Sequence, residues 1–208
     1  GSGSTLYDAS VGATFGTRLA SRNVPCGASV FDPDRFGAIC SELEDRAPFA
    51  RDNFFRINLG GNVSRSFAGD FKALLGLSAQ WADTTLVSNE QFAVGGATNV
   101  RGYFLSEAVG DMGVQGSLEL QSPSLGKPLG DWIDELRVVA FADTGYVYTR
   151  DVPADQRNSE YLLGLGGGVR LEVFDLITGE ALLGIPMTDG PNSSAGDPRF
   201  TFVVRGEF

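Results

Sequence analysis

A chain of 208 residues, 42% of them hydrophobic, can bury a core, and a net charge of −10 denies it the clustered basic face of a duplex nucleic-acid binder, so no nucleic-acid partner is expected. It has no histidine, which removes Ser-His-Asp and Cys-His catalysis together with histidine metal sites; no metal, cofactor or enzymatic bond change is expected. Its 28 glycines are about twice the usual ~7% share and follow no collagen period, so they point to tight turns or close strand packing.

The opening Gly-Ser-Gly-Ser, residues 1–4, reads as a linker or cloning scar, leaving 5–208 as the folded segment. Residues 5–19 alternate with a period of two: Tyr7, Ala9, Val11, Ala13 and Phe15 on one face, Asp8, Ser10, Gly12 and Thr14 on the other. That run is longer than an ordinary globular strand of ~5–6 residues. A polar segment, 20–52, follows and carries both cysteines, Cys26 and Cys40. Two cysteines are too few for zinc, so a loop-closing disulfide is expected, worth about 3 kcal/mol and implying an oxidising compartment; two free thiols are the alternative.

Residues 53–67 alternate again, with Phe55, Ile57, Leu59 and Val63 against Arg56, Asn58, Asn62 and Ser64. Further strands are predicted over 70–81, 113–121 (Gln115, Ser117, Glu119 and Gln121 on the polar face), 135–149, 161–173, 177–187 and 199–208. The count is about eight. No segment has helical apolar spacing. The glycine run in "GLGGGVRLEV" has no following Lys-Ser/Thr and no helix, so it reads as a strand whose small residues relieve crowding on one face rather than as a phosphate loop.

Connections at 20–52, 85–107, 149–158 and 188–198 are long, those near Gly69 and Asp175 tight and that at 123–133 moderate, so long and short ends fall on opposite rims. One face is continuously Ala, Val, Leu and Phe; the other is polar and glycine-rich. Aromatics such as Tyr7, Phe55, Phe67, Phe71, Trp81, Tyr146, Tyr148, Tyr161 and Phe208 stand near strand ends. These features predict an all-β, antiparallel transmembrane β-barrel whose partner is a lipid bilayer, located in a bacterial outer membrane. A soluble β-sandwich or lipocalin-like barrel also alternates but would turn its polar face to water around a compact apolar core.

Mid-chain, "FAVGGATNVRGYFLSE" (92–107) sets Arg101 between apolar flanks among glycines. A buried guanidinium requires an acidic partner. Asp143 shares its strand face with Arg137, Phe141 and Val147, on the lumen side, and Glu119 projects to the lumen from the preceding strand. Arg101 folded back into the barrel could be held by one or both, with Gly95, Gly96 and Gly102 allowing the backbone to turn and approach the wall. The inward residues Arg18, Arg56, Lys72, Arg137, Arg170 and Arg205 alternate with Asp8, Glu172, Glu180 and Glu207 as the mixed ladder of a wet channel.

Val100, Arg101, Gly102 and Tyr103 match the VRGY motif of the Omp85 superfamily, and Phe141, Asp143 and Gly145 match its F-x-D-x-G strand motif. The chain resembles the C-terminal half of that superfamily's sixteen-stranded barrel, nearest the two-partner secretion transporters, with Phe208 in the place of a C-terminal assembly signal. The resemblance implies outer-membrane translocation or insertion of polypeptides, an unfolded secreted protein as substrate, insertion by the outer-membrane assembly machinery, and an arginine loop contacting the F-x-D-x-G wall. BamA-type assembly factors share the same core and are the alternative branch. Neither the first half of such a barrel nor periplasmic POTRA domains is present, so the segment is expected to be a fragment. Open strand edges cannot sit in lipid, so it would close on itself, pair with a second copy as a homodimer, or be completed by missing chain. A closed eight-stranded barrel has room for side chains only and would squeeze the arginine loop out. A structural or pore-forming barrel, an engineered fragment without transport activity, is the competing class; an enzyme using Glu119 and Asp143 is more remote.

Overall fold

Residues whose side chains alternate apolar and polar can satisfy one apolar and one wet surface only as extended strands, and the computed structural model has strands throughout the described residues. Those residues are 4–16, 23–25, 39–41, 53–126, 132–152, 156–174 and 176–206. In chain order the strands are β1 (Thr5–Gly16), β2 (Asn23–Pro25), β3 (Ile39–Ser41), β4 (Phe54–Ser66), β5 (Lys72–Ala82), β6 (Phe92–Val94), β7 (Ala108–Gly110), β8 (Met112–Gln121), β9 (Ile133–Tyr148), β10 (Ser159–Val173), β11 (Ile177–Pro186) and β12 (Arg199–Gly206).

The eight long strands form one antiparallel sheet in the order β1-β4-β5-β8-β9-β10-β11-β12, so every long strand pairs with the next long strand along the chain. Among the described residues β1 and β12 do not pair, and the sheet is open. The described strands thus do not close into the small eight-stranded barrel, and the lumen face between them receives the arginine loop. Three of the four short strands fall in regions read from sequence as connections, β2 and β3 inside the cysteine segment and β6 inside 85–107; β7, which pairs with β6 across the arginine loop, lies just beyond that connection and before the strand predicted at 113–121. Three-residue strands are too short to show a period. In β3, Cys40 is paired with Val24 through the backbone, but its side chain, all of Cys26 and the terminal Phe208 lie outside the described residues.

The two faces of the sheet differ as a membrane barrel requires. Tyr7, Val11, Phe15, Leu75, Leu77 and Val138 are exposed on the outer face, Tyr7 by 82% and Leu77 by 59%. A soluble fold would have buried them. Phe15, Phe55 and Trp81 make an aromatic cluster at the rim of the long loops, with centroids 4.6 Å and 6.3 Å apart, and Tyr146 is paired with Tyr161 in the same belt. Phe67, Phe71, Trp132 and Phe174 stand exposed at the rim of the turns. Phe55 and Phe67 bound opposite ends of β4; twelve residues at ~3.3 Å, tilted by about 40°, separate the belts by roughly 30 Å, enough to flank the ~25 Å apolar band of an outer-membrane barrel.

At the turn rim a polar clasp fixes three strands. The β4–β5 turn closes with Phe67 N–H donating to Phe71 O at 2.8 Å, and Asp70 takes a left-handed conformation, φ 66°. Buried Arg137 donates to Asp70 O and Oδ2, both at 2.7 Å, and to Ser122 O at 2.6 Å; Glu135 accepts from Arg137 and, at 3.1 Å, from Lys72. The Ser124 N–H and the Arg137 guanidinium hold the Asp70 carboxyl below its ordinary value of 3.8. A carboxyl depressed in the folded state contributes stability that is present above its unfolded value and lost as pH falls through the folded one.

Asp70→Asn is expected to flatten the fall in unfolding free energy below about pH 4, measured by urea titration in detergent micelles, while leaving the slope near neutrality unchanged. Leu77→Arg, in the middle of the outer face of β5, is expected to destabilise the protein in lipid vesicles by about 2–4 kcal/mol, and Ser78→Arg, on the wet face beside it, by much less.

Candidate functional site

The connection from β5 to β8 leaves the long-loop rim and folds back over the wet face of the sheet. Its stem is the β6–β7 hairpin, and its tip turns on Gly95 and Gly96, at φ 105° and 125°, a region that side chains with a Cβ rarely enter. Gly96 N–H donates to Val100 O at 3.2 Å and Ser106 N–H to Gly95 O at 3.1 Å, so the tip is ordered by its own backbone. Asp111, fully buried, pins the base of the stem: its carboxylate accepts from Leu86 N–H at 2.8 Å, Gln91 Nε2 at 3.1 Å and Arg150 N–H at 2.7 Å.

Arg101 meets the wall with its whole fork. Nε donates to Asp143 Oδ2 at 2.6 Å and Nη2 to Asp143 Oδ1 at 2.8 Å, a bidentate pair; Nη1 donates to Glu119 Oε2 at 2.6 Å. Its backbone N–H adds a bond of 3.0 Å to Asp143 Oδ2. Lysine could not make this set. The Phe141 ring lies under the guanidinium, 3.7 Å from its centroid. Asp143 is 0% exposed, Glu119 5% and Arg101 9%, so all three have left bulk water together.

Neighbours orient the two acids. Ser117 donates its hydroxyl to Asp143 Oδ1 at 2.6 Å, and Gln121 donates to Glu119 Oε1 at 2.9 Å. Arg170 bridges Glu119, at 2.7 Å, to Glu180, extending the network across β10 to β11. Removing one partner of such a set strands buried charge and costs about 3–5 kcal/mol.

The remaining motif residues are explained by how closely the loop lies on the sheet. Val100 is fully buried with Val94, Tyr103, Ala108, Val147 and Leu162, and a Cβ on Gly145 would sit 3.0 Å from Val100 Cγ2. Gly102 takes φ 98°, and its nitrogen would lie 2.5 Å from a Cβ on Gly184. A Cβ on Gly164 would stand 2.1 Å from Arg101 O. Gly145, Gly164 and Gly184 thus form a bare patch of wall: the loop backbone rests on Gly164 and Gly184, and the Val94 and Val100 side chains rest on Gly145. Tyr103 ends the seat: its hydroxyl lies 2.9 Å from Leu163 O and 2.8 Å from Thr188 O, and accepts from Thr188 N–H at 3.2 Å.

The structure therefore brings Val100, Arg101, Gly102, Tyr103, Glu119, Phe141, Asp143 and Gly145 into one site. Cys26, Cys40 and Phe208 cannot be placed relative to it, because the first, the second's side chain and the third lie outside the described residues. Sequence reasoning missed the orienting roles of Ser117 and Gln121, the bridging by Arg170, the glycines at 164 and 184, and Tyr103's partner Thr188. Period two marks Ser117 and Gln121 as inward, but only the strand register puts Gly164 opposite Asp143. Beside the latch a cleft of about 650 Å³ runs along the wet face, with Ser10, Asn62, Ser78, Gln115, Ser117 and Arg101 in its lining. The site holds charge and position.

A family model for the haemolysin secretion/activation protein ShlB/FhaC/HecB matches residues 3–171, a span that includes Arg101, Glu119 and Asp143. No curated protein matches the chain in sequence. Among solved structures, CdiB from Escherichia coli is similar over 97% of this chain and 34% of its own, with a TM-score of 0.70 and 20% identity. CdiB from Acinetobacter baumannii is similar over 73% of this chain and 26% of its own, with a TM-score of 0.54 and 24% identity. At these identities the likeness is one of fold. The chain spans about a quarter to a third of the length of these two relatives.

Gly164→Ala is expected to lift the loop from the wall, at an overpacking cost of about 1–3 kcal/mol. Trypsin should then cut after Arg101 roughly tenfold faster or more. Gly12→Ala, whose added methyl meets nothing within 4 Å, should leave that cleavage unchanged.

Proposed function

This chain belongs to the ShlB/FhaC/HecB family of haemolysin secretion/activation proteins, transporters of the Gram-negative outer membrane, and from that membership we propose that it forms one wall of a polypeptide-conducting barrel plugged by the Arg101 loop. The carrying observation is the seat itself. A loop with an apolar underside and an arginine fork is laid on a glycine patch in the lumen, alongside a polar cleft of about 650 Å³. Nothing in such an arrangement needs to make or break covalent bonds. Its work is to hold a segment across the pore in one state and to let the pore widen in another.

The passenger is a secreted polypeptide in an unfolded, β-rich form. Hydroxyl, amide and glycine groups along the cleft offer hydrogen bonds without a fixed pattern, which suits a moving chain better than an apolar or single-sign lining. In lipid the edges β1 and β12 require strand partners, because each unpaired backbone group there costs several kcal/mol. Further strands of the polypeptide or a second copy would supply them. The outer-membrane assembly machinery would insert the barrel.

Arg101→Ala in the intact protein should lower secretion of its passenger by roughly tenfold or more while the barrel reaches the outer membrane in normal amount, as expected when buried carboxylates are stranded. Secretion at the parental rate from a protein whose loop is demonstrably unseated would overturn the reading.

A further inference from the structure

One buried acid of the loop takes no part in the arginine network. Glu107 is 4% exposed and lies six residues beyond Arg101, on the limb of the loop returning to β7. Its Oε2 accepts from Ser193 Oγ at 2.9 Å and Phe104 N–H at 3.2 Å, and its Oε1 accepts from Asn192 N–H at 2.5 Å. These three donors are neutral. A buried carboxylate satisfied only by neutral donors depends on every one of them being in place.

Two of the three come from the connection between β11 and β12, at the same rim as the arginine loop. That connection is folded on itself, with Gly190 N–H donating to Ser193 O at 2.8 Å and Gly196 N–H to Pro186 O at 2.8 Å. It is also packed against the acid: a Cβ on Gly190 would stand 2.7 Å from Glu107 Oε1, while one on Gly95 would stand 2.5 Å from Glu107 Cβ. Glu107 is thus gripped between the tip of its own loop and the outer connection. Tyr103 meets Thr188 four residues away, so the segment 103–107 is stitched to 188–193 at both ends.

We propose that Glu107 is a positioning residue forming a second, independent latch, through which the outer β11–β12 connection controls how firmly the arginine loop is seated. The inference rests on the plug reading above. It adds that the plug has a handle at the long-loop rim, separate from the Arg101 network of β8 and β9. Releasing Arg101 alone leaves the returning limb held, and loosening the outer connection alone leaves the fork held; full displacement requires both.

The test is amide hydrogen exchange on the intact protein in lipid nanodiscs. Glu107→Ala is expected to raise exchange about tenfold across both 103–107 and 188–193, with Arg101 still seated; Glu107→Gln, which keeps one acceptor oxygen, should fall nearer the parent. Ser194→Ala, in the same connection but bonded there only through its backbone carbonyl, should change nothing. The Glu107→Ala and Arg101→Ala effects should multiply, whereas those of Glu107→Ala and Ser193→Ala should not, because the latter pair remove one interaction. Exchange confined to Glu107 itself, or a Glu107→Ala effect that vanishes in the Arg101→Ala background, overturns the second latch. If Arg101→Ala blocks secretion but Glu107→Ala leaves exchange at the parental rate, only this inference falls. If exchange behaves as expected while secretion is untouched by either variant, the coupling stands and the transport reading falls.

Discussion

A guanidinium taken out of water must be surrounded by acceptors in its own plane, and much of the lumen face is arranged around that demand. Asp143 supplies two oxygens to one edge of the Arg101 fork, Glu119 one to the other, and Phe141 closes the face. Because the fork is rigid, these groups fix the loop in rotation as well as in distance. The strands carrying them are adjacent, with Glu119 opposite Phe141 and Ser117 opposite Asp143, so a shift of register in β8 against β9 would separate the two acids.

Charge alone would not bring the loop close enough. Arg101 reaches both acids because its backbone lies directly on the sheet, which only a patch lacking Cβ atoms permits. The glycine-rich composition and the arginine motif are therefore one feature: bare wall allows contact, and contact allows a short ionic reach. The same contact buries Val100 and Tyr103 with Val147 and Leu162, giving a membrane protein a small apolar core on its wet side.

The architecture was legible because alternation is a local property. Eight long strands, their order of short and long connections and the inward direction of Glu119 and Asp143 all follow from period two and turn chemistry. What was not legible depends on contacts between distant connections. Glu107 and Ser193 are 86 residues apart, both in irregular segments, and nothing in either segment's pattern advertises the other. Gly164 reads as one glycine among several until register sets it opposite Asp143. The three-residue strands β6 and β7 are below the length at which a period can be seen, so the sequence of the arginine segment shows a loop where the structure has a hairpin with a paired stem.

That stem has its foot at Asp111, whose carboxylate ties together the backbones of Leu86 and Arg150 and the Gln91 side chain. A segment moored in this way cannot pay out lengthwise like a rope when its far end comes free. Were the far end freed, the segment would swing as a door does about its post, along an arc set by where the post stands rather than by whatever pushes it.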